Sequence, residues 1–136
     1  MKRFVGCAIL LFLFCFFSTD VSAQGTLDVF CPAPAVFGGP RSEDEVTARI
    51  QQKIDYFRNC YGNHIKKNDT LNFKVRVRFV IKPAGNVDSI SVIQKGISNI
   101  GFISCLKSIL AQIRFQPVTH SEGESVVEQS FIFKII

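Results

Sequence analysis

Cysteine, histidine and clustered acidic side chains are the groups in this chain whose types and spacing could do chemistry. Five cysteines stand at positions 7, 15, 31, 60 and 105. None belongs to a Cys-x-x-Cys at a helix start, the arrangement that lowers a thiol pKa for disulfide exchange. His64 and His120 lie in separate polar stretches without a second ligand nearby, unlike the compact ligand spacing of a zinc site. No serine occupies a nucleophile-elbow pattern, and no glycine-rich phosphate loop is present. Glu122, Glu124 and Glu128 read as a solvated loop and strand face rather than an acid–base pair. The expectation is no catalytic residue, no metal and no cofactor: a binding protein, not an enzyme.

The elements that hold these residues begin after a removable start. Lys2 and Arg3 precede an almost unbroken apolar run from Phe4 to Phe17, and Val21-Ser22-Ala23 offers small residues to a signal peptidase. Residues 1–23 read as a signal peptide, because 14 residues fall short of the roughly 20 needed to cross a bilayer as a helix. The expected mature chain, Gln24 to Ile136, is periplasmic or secreted. It keeps Cys31, Cys60 and Cys105, so one thiol is left over in an oxidising compartment. Without Lys2, Arg3 and Asp20 it carries 14 basic and 10 acidic residues, an excess of +4. That suits an anionic envelope surface and does not by itself mean nucleic acid.

Residues 24–41 hold Cys31-Pro32-Ala33-Pro34 and Gly38-Gly39-Pro40 with no sustained period, and read as a flexible arm before a domain spanning 42–136. Ser42 and Glu45 form a capping box, and Val46, Ile50, Ile54, Phe57 and Tyr61 make one apolar stripe. They predict a single helix from about Glu43 to Tyr61, ended by Gly62. Phe73 to Lys82 alternates Phe73, Val75, Val77, Phe79 and Ile81 against Lys74, Arg76 and Arg78, a strand with one buried and one basic face. Pro83-Ala84-Gly85-Asn86 turns the chain into Val87–Gln94, where the phase of Val87 against Ile90 and Val92 suggests a bulge. A helix follows to about Arg114, and Val126–Ile135 alternates again. The predicted fold is α+β: a three-stranded sheet of antiparallel type in order second, first, third, with two helices packed on one face.

One family shows a similar pattern. Asn59-Cys60-Tyr61 ends a helix, Val75 to Ile81 reads V-x-V-x-F-x-I, and a turn carries Gly85 and Val87. Cys105 lies early in a helix ending Ile113-Arg114-Phe115, and the last strand holds Phe131 and Phe133. From Val46 to Ile135 the chain resembles the AgmX/PglI C-terminal domain, a relative of the TonB C-terminal domain. That resemblance implies a periplasmic domain of Gram-negative envelope machinery working through protein–protein contact. The alternative it carries is a membrane-anchored TonB-like energy transducer, or a motility or transport component of the envelope. Such transducers keep an N-terminal membrane helix and a long proline-rich spacer, whereas the spacer here is the 17 residues of Gln24–Pro40.

Beside the resemblance, Cys60 and Cys105 read as a structural disulfide between the two helices, leaving Cys31 free or joined to a second chain or partner. The row Lys74, Arg76 and Arg78 reads as a solvated sheet face or as a docking face for an acidic partner or anionic envelope surface. That strand interleaves no aromatics on the basic side, so nucleic acid is not expected. The last strand should form a sheet edge. Val126, Val127, Glu128, Gln129, Ser130, Phe131, Ile132 and Phe133 would then receive an extended segment of an envelope protein or peptide by strand augmentation, or pair with the same edge of a second copy. The competing reading is an edge protected by Glu128 and Lys134 or covered by the arm.

Overall fold

The computed structural model describes residues 27–65, 72–94, 96 and 98–135. The expected signal peptide and the first residues of the arm lie outside them. In chain order the elements are β1 (Leu27–Phe30), β2 (Ala35–Phe37), α1 (Glu43–Gln51), α2 (Ile54–His64), β3 (Phe73–Ile81), β4 (Val87–Gln94), α3 (Ile100–Gln112), a 3-10 turn (His120–Glu122) and β5 (Ser125–Ile135). The fold is α+β, and its sheet has five strands rather than three, in order β1-β5-β3-β4 with β2 also paired to β5.

The expected order holds for the central three strands. β3 pairs antiparallel with β4 on one side and with β5 on the other, the latter in unbroken register from Phe73 opposite Phe133 to Ile81 opposite Ser125. Phe73, Val75, Val77, Phe79 and Ile81 are all buried, while Lys74, Arg76 and Arg78 are exposed, as the alternation requires. In β4 the register against β3 shifts twice, and Ser89 takes a positive φ of 53°. The extra residue between Asp88 and Ser91 resets the phase, so Val87 and then Ile90 and Val92 can all turn toward the core.

The first helix differs from its expected form. Ser42 Oγ accepts from the Glu45 N–H at 3.1 Å, but the Glu45 carboxylate takes Arg41 Nη1 at 2.9 Å instead of reaching back to the cap. The helix stops at Gln51 and restarts at Ile54, and α2 passes through Gly62 to His64 before Ile65 turns extended and buried. A stripe spaced four, four, three and four survives this break because Val46, Ile50, Phe57 and Tyr61 still face the sheet. Three helices therefore stand where two were expected, on the face opposite the basic row. Asn99 caps α3 by accepting from the Phe102 N–H at 2.9 Å, and its side-chain amide donates to His64 O at 3.0 Å, joining the end of α2 to the start of α3.

Between helices and sheet lies an aromatic core. Tyr61 and Phe73 stack against Phe133, and Phe102 meets Phe73 and Phe133 edge-on, with centroids 5.1–5.8 Å apart. Beside it Cys60 and Cys105 form a disulfide between α2 and α3, with Cα atoms 5.8 Å apart at a sequence separation of 45. After α3, Phe115 N donates to Gly85 O at 2.8 Å. A side chain at Gly85, whose φ is +94°, would meet Phe115 O at 2.1 Å, so only glycine permits this approach. The disulfide joins helices that already share a core, and its main effect is on the unfolded chain. The double variant Cys60→Ala/Cys105→Ala should stay folded and lose about 2–4 kcal/mol in urea unfolding.

Candidate functional site

β5 is the strand on which the sequence placed partner binding, and it is not a free edge. Along the side away from β3, β1 pairs with it from Leu27 opposite Ile135 to Phe30 opposite Ile132. β2 continues from Ala35 opposite Glu128 to Phe37 opposite Val126. The expected flexible arm is thus, from Leu27 to Phe37, an interrupted strand that covers nearly the whole flank. Coverage by the arm was the competing expectation; that the arm would pair as strands was hidden by length, since four and three residues with two prolines between them are too short to display a period. The sheet's other margin, β4, is blunted by its two bulges.

The interruption follows a count. From Phe30 to Ala35 the arm advances five residues while β5 advances four, from Ile132 to Glu128. One extra residue is therefore looped out in Cys31-Pro32-Ala33-Pro34, where prolines lack the N–H that a regular ladder needs. Gln129 fills the break. It belongs to the inward phase of β5 with Val127, Phe131 and Phe133, is 1% exposed, and its Nε2 donates to Pro32 O at 2.8 Å and Ser130 O at 2.9 Å. Both amide hydrogens are used.

Cys31 sits in the same break, half-buried and packed against the core, with its thiol free. Burial pushes its pKa up to about 12, so the thiol stays protonated at neutral pH and is a poor nucleophile while the arm is in place. The arm leaves the sheet at Gly38 and Gly39, both with positive φ. A Cβ at Gly39 would lie 2.4 Å from Ser125 Oγ and 2.6 Å from Glu124 O. Buried Arg41 follows, its backbone N–H 3.3 Å from Ser125 Oγ and its guanidinium 5.6 Å from the Phe115 ring centre. Nothing in the sequence marked this arginine, which anchors the turn through Glu45 and the Lys82 carbonyl.

On the outer face Val126, Glu128, Ser130 and Ile132 stand opposite Val80, Arg78, Arg76 and Lys74. Arg76 and Arg78 both bond the Glu128 carboxylate, Arg78 Nε at 3.1 Å, and Lys82 pairs with Glu124. Much of the basic row is therefore satisfied within the molecule. Aromatics do reach this face, though from the arm and not from β3: Phe30 is 51% exposed beside Ile132, with Lys134 Nζ 5.8 Å from its ring centre, and Phe37 is 54% exposed beside Val126. His64 and His120 are at the end of α2 and in the 3-10 turn. Among the described residues no group of three His, Cys, Asp or Glu side chains is placed to hold a metal ion, and no helix is long and apolar enough to cross a membrane. No family model matches the chain, nor does any curated protein or solved structure.

The hydrogen bond from Arg78, and beside it the charge of Arg76, hold the Glu128 carboxyl below its ordinary value against a desolvation acting the other way. A folded-state pKa below the unfolded one means the cluster stabilises fully above the unfolded value and is lost as pH falls through the folded value. Urea midpoints of the wild type and Glu128→Gln should differ at neutral pH and converge in acid, below the ordinary carboxylate range.

Proposed function

We propose that this chain is a non-enzymatic binding module of the cell envelope, exported by its N-terminal segment, that takes an extended segment of a partner protein alongside β5. The observation that carries this reading is the arm. β5 already accepts an irregular extended segment on that flank through backbone pairing, and the arm joins the domain through a turn at two glycines of positive φ. Strand addition needs a row of backbone donors and acceptors, with side-chain pockets on alternate positions. Val29 and Val36 supply the arm's inward contacts opposite Phe133 and Val127. The helices and the central order β4-β3-β5 also support the likeness to TonB-type domains drawn from the sequence.

The partner segment takes the place of the arm. Val29 is buried, and Val29→Ala removes apolar burial worth about 1–2 kcal/mol, loosening the arm and leaving the three central strands intact. With a photocrosslinking amino acid at Ser130 in cells, intermolecular adducts should form and become more abundant in the Val29→Ala background. Adducts arising only from arm positions such as Phe37 would refute partner binding at β5.

A further inference from the structure

The seated arm also describes what β5 can accept. Val29 and Val36 both face inward, yet they are seven residues apart. In an unbroken strand an odd separation puts two side chains on opposite faces. The one-residue loop at Cys31–Pro34 removes that conflict, turning Val36 back toward the core while leaving Phe30 and Phe37 outside. On the β5 side the loop is met by Gln129, the single amide side chain in an inward row otherwise made, between Val127 and Phe133, of apolar residues. A straight strand would offer no inward carbonyl where Pro32 O now lies, and would leave one N–H of Gln129 buried without an acceptor.

We infer that the partner segment is itself kinked: an extended peptide with two inward apolar residues seven apart and a proline-containing, one-residue bulge between them, whose carbonyl accepts from Gln129. Gln129 is thus a specificity-determining residue. This rests on the proposed binding of a partner alongside β5 and adds which segments are taken. The arm's own sequence is the template. A peptide that pairs with β5 without the bulge either turns its second apolar residue to solvent or strands the Gln129 amide. Both raise its free energy relative to the kinked form.

The test uses the full-length exported chain carrying Val29→Ala, whose arm is weakened, and two fluorescent peptides. One has the sequence of residues 27–37 with Cys31 replaced by Ser. The other is one residue shorter, without Ala33 and with both prolines replaced by Thr. Binding is read by anisotropy, and arm displacement by the alkylation rate of Cys31, which rises when its burial is lost. The kinked peptide should bind about tenfold or more tightly than the straight one, the range expected for one orphaned buried donor. It should also accelerate Cys31 alkylation in a saturable way. Gln129→Leu, which replaces the amide by an apolar group of similar size, should bring the two affinities together. Equal binding of both peptides to the Gln129 chain would overturn the kink requirement while leaving strand acceptance intact. If neither peptide binds or changes the alkylation rate, strand acceptance at β5 fails as well.

Discussion

Everything in this molecule leans on β5 being paired on both flanks. On one side β3 matches it in continuous register, and on the other the two halves of the arm cover it. That arrangement places Phe131 and Phe133 at the centre of the aromatic core and brings Glu128 between Arg76 and Arg78. A strand so enclosed tolerates little sliding, since a one-residue slip would carry its apolar row into water. The arm's bulge is the one irregularity in its surroundings, and a buried glutamine compensates it.

The central part of the fold was legible because its periods are long and clean. Nine alternating residues of β3 and the helical spacing of α3 each override local ambiguity, and the phase conflict in β4 pointed to a bulge that the structure contains. The disulfide between Cys60 and Cys105 was legible too, as the pair placed on two helices. The failures share a physical origin. β1 and β2 are extended because β5 offers them partners, a tertiary cause that leaves no pattern in four or three residues. Pro32 and Pro34 suggested a tether when they mark a bulge in a strand. The helix expected to end at Gly62 continues because Ile65 still has core to reach, and glycine in an exposed helical turn is only a modest penalty.

The basic row illustrates how a one-strand reading misjudges a face. Lys74, Arg76 and Arg78 look like an unopposed positive stripe, but the neighbouring strand sets Glu128 between two of them. The same register brings Phe30 and Phe37 onto this face from the arm. The outer surface is a mixture of paired charge and exposed aromatic rings, with far less field than the sequence suggests. Antiparallel sheets commonly leave such a face wet, and cross-strand partners decide its character.

The pairing of Leu27 with Ile135 has a consequence for how the chain reaches this state. These residues are the first and last of the sheet, so its outermost strand can dock only after the last strand exists. A chain synthesised from its N-terminus holds the arm unpaired until β5 emerges. Closing contacts between residues so far apart in sequence is slow relative to forming the α2–α3 pair or the β3–β4 hairpin. The topology thus favours assembly from the middle outward, with the arm docking last onto a sheet that already holds β5.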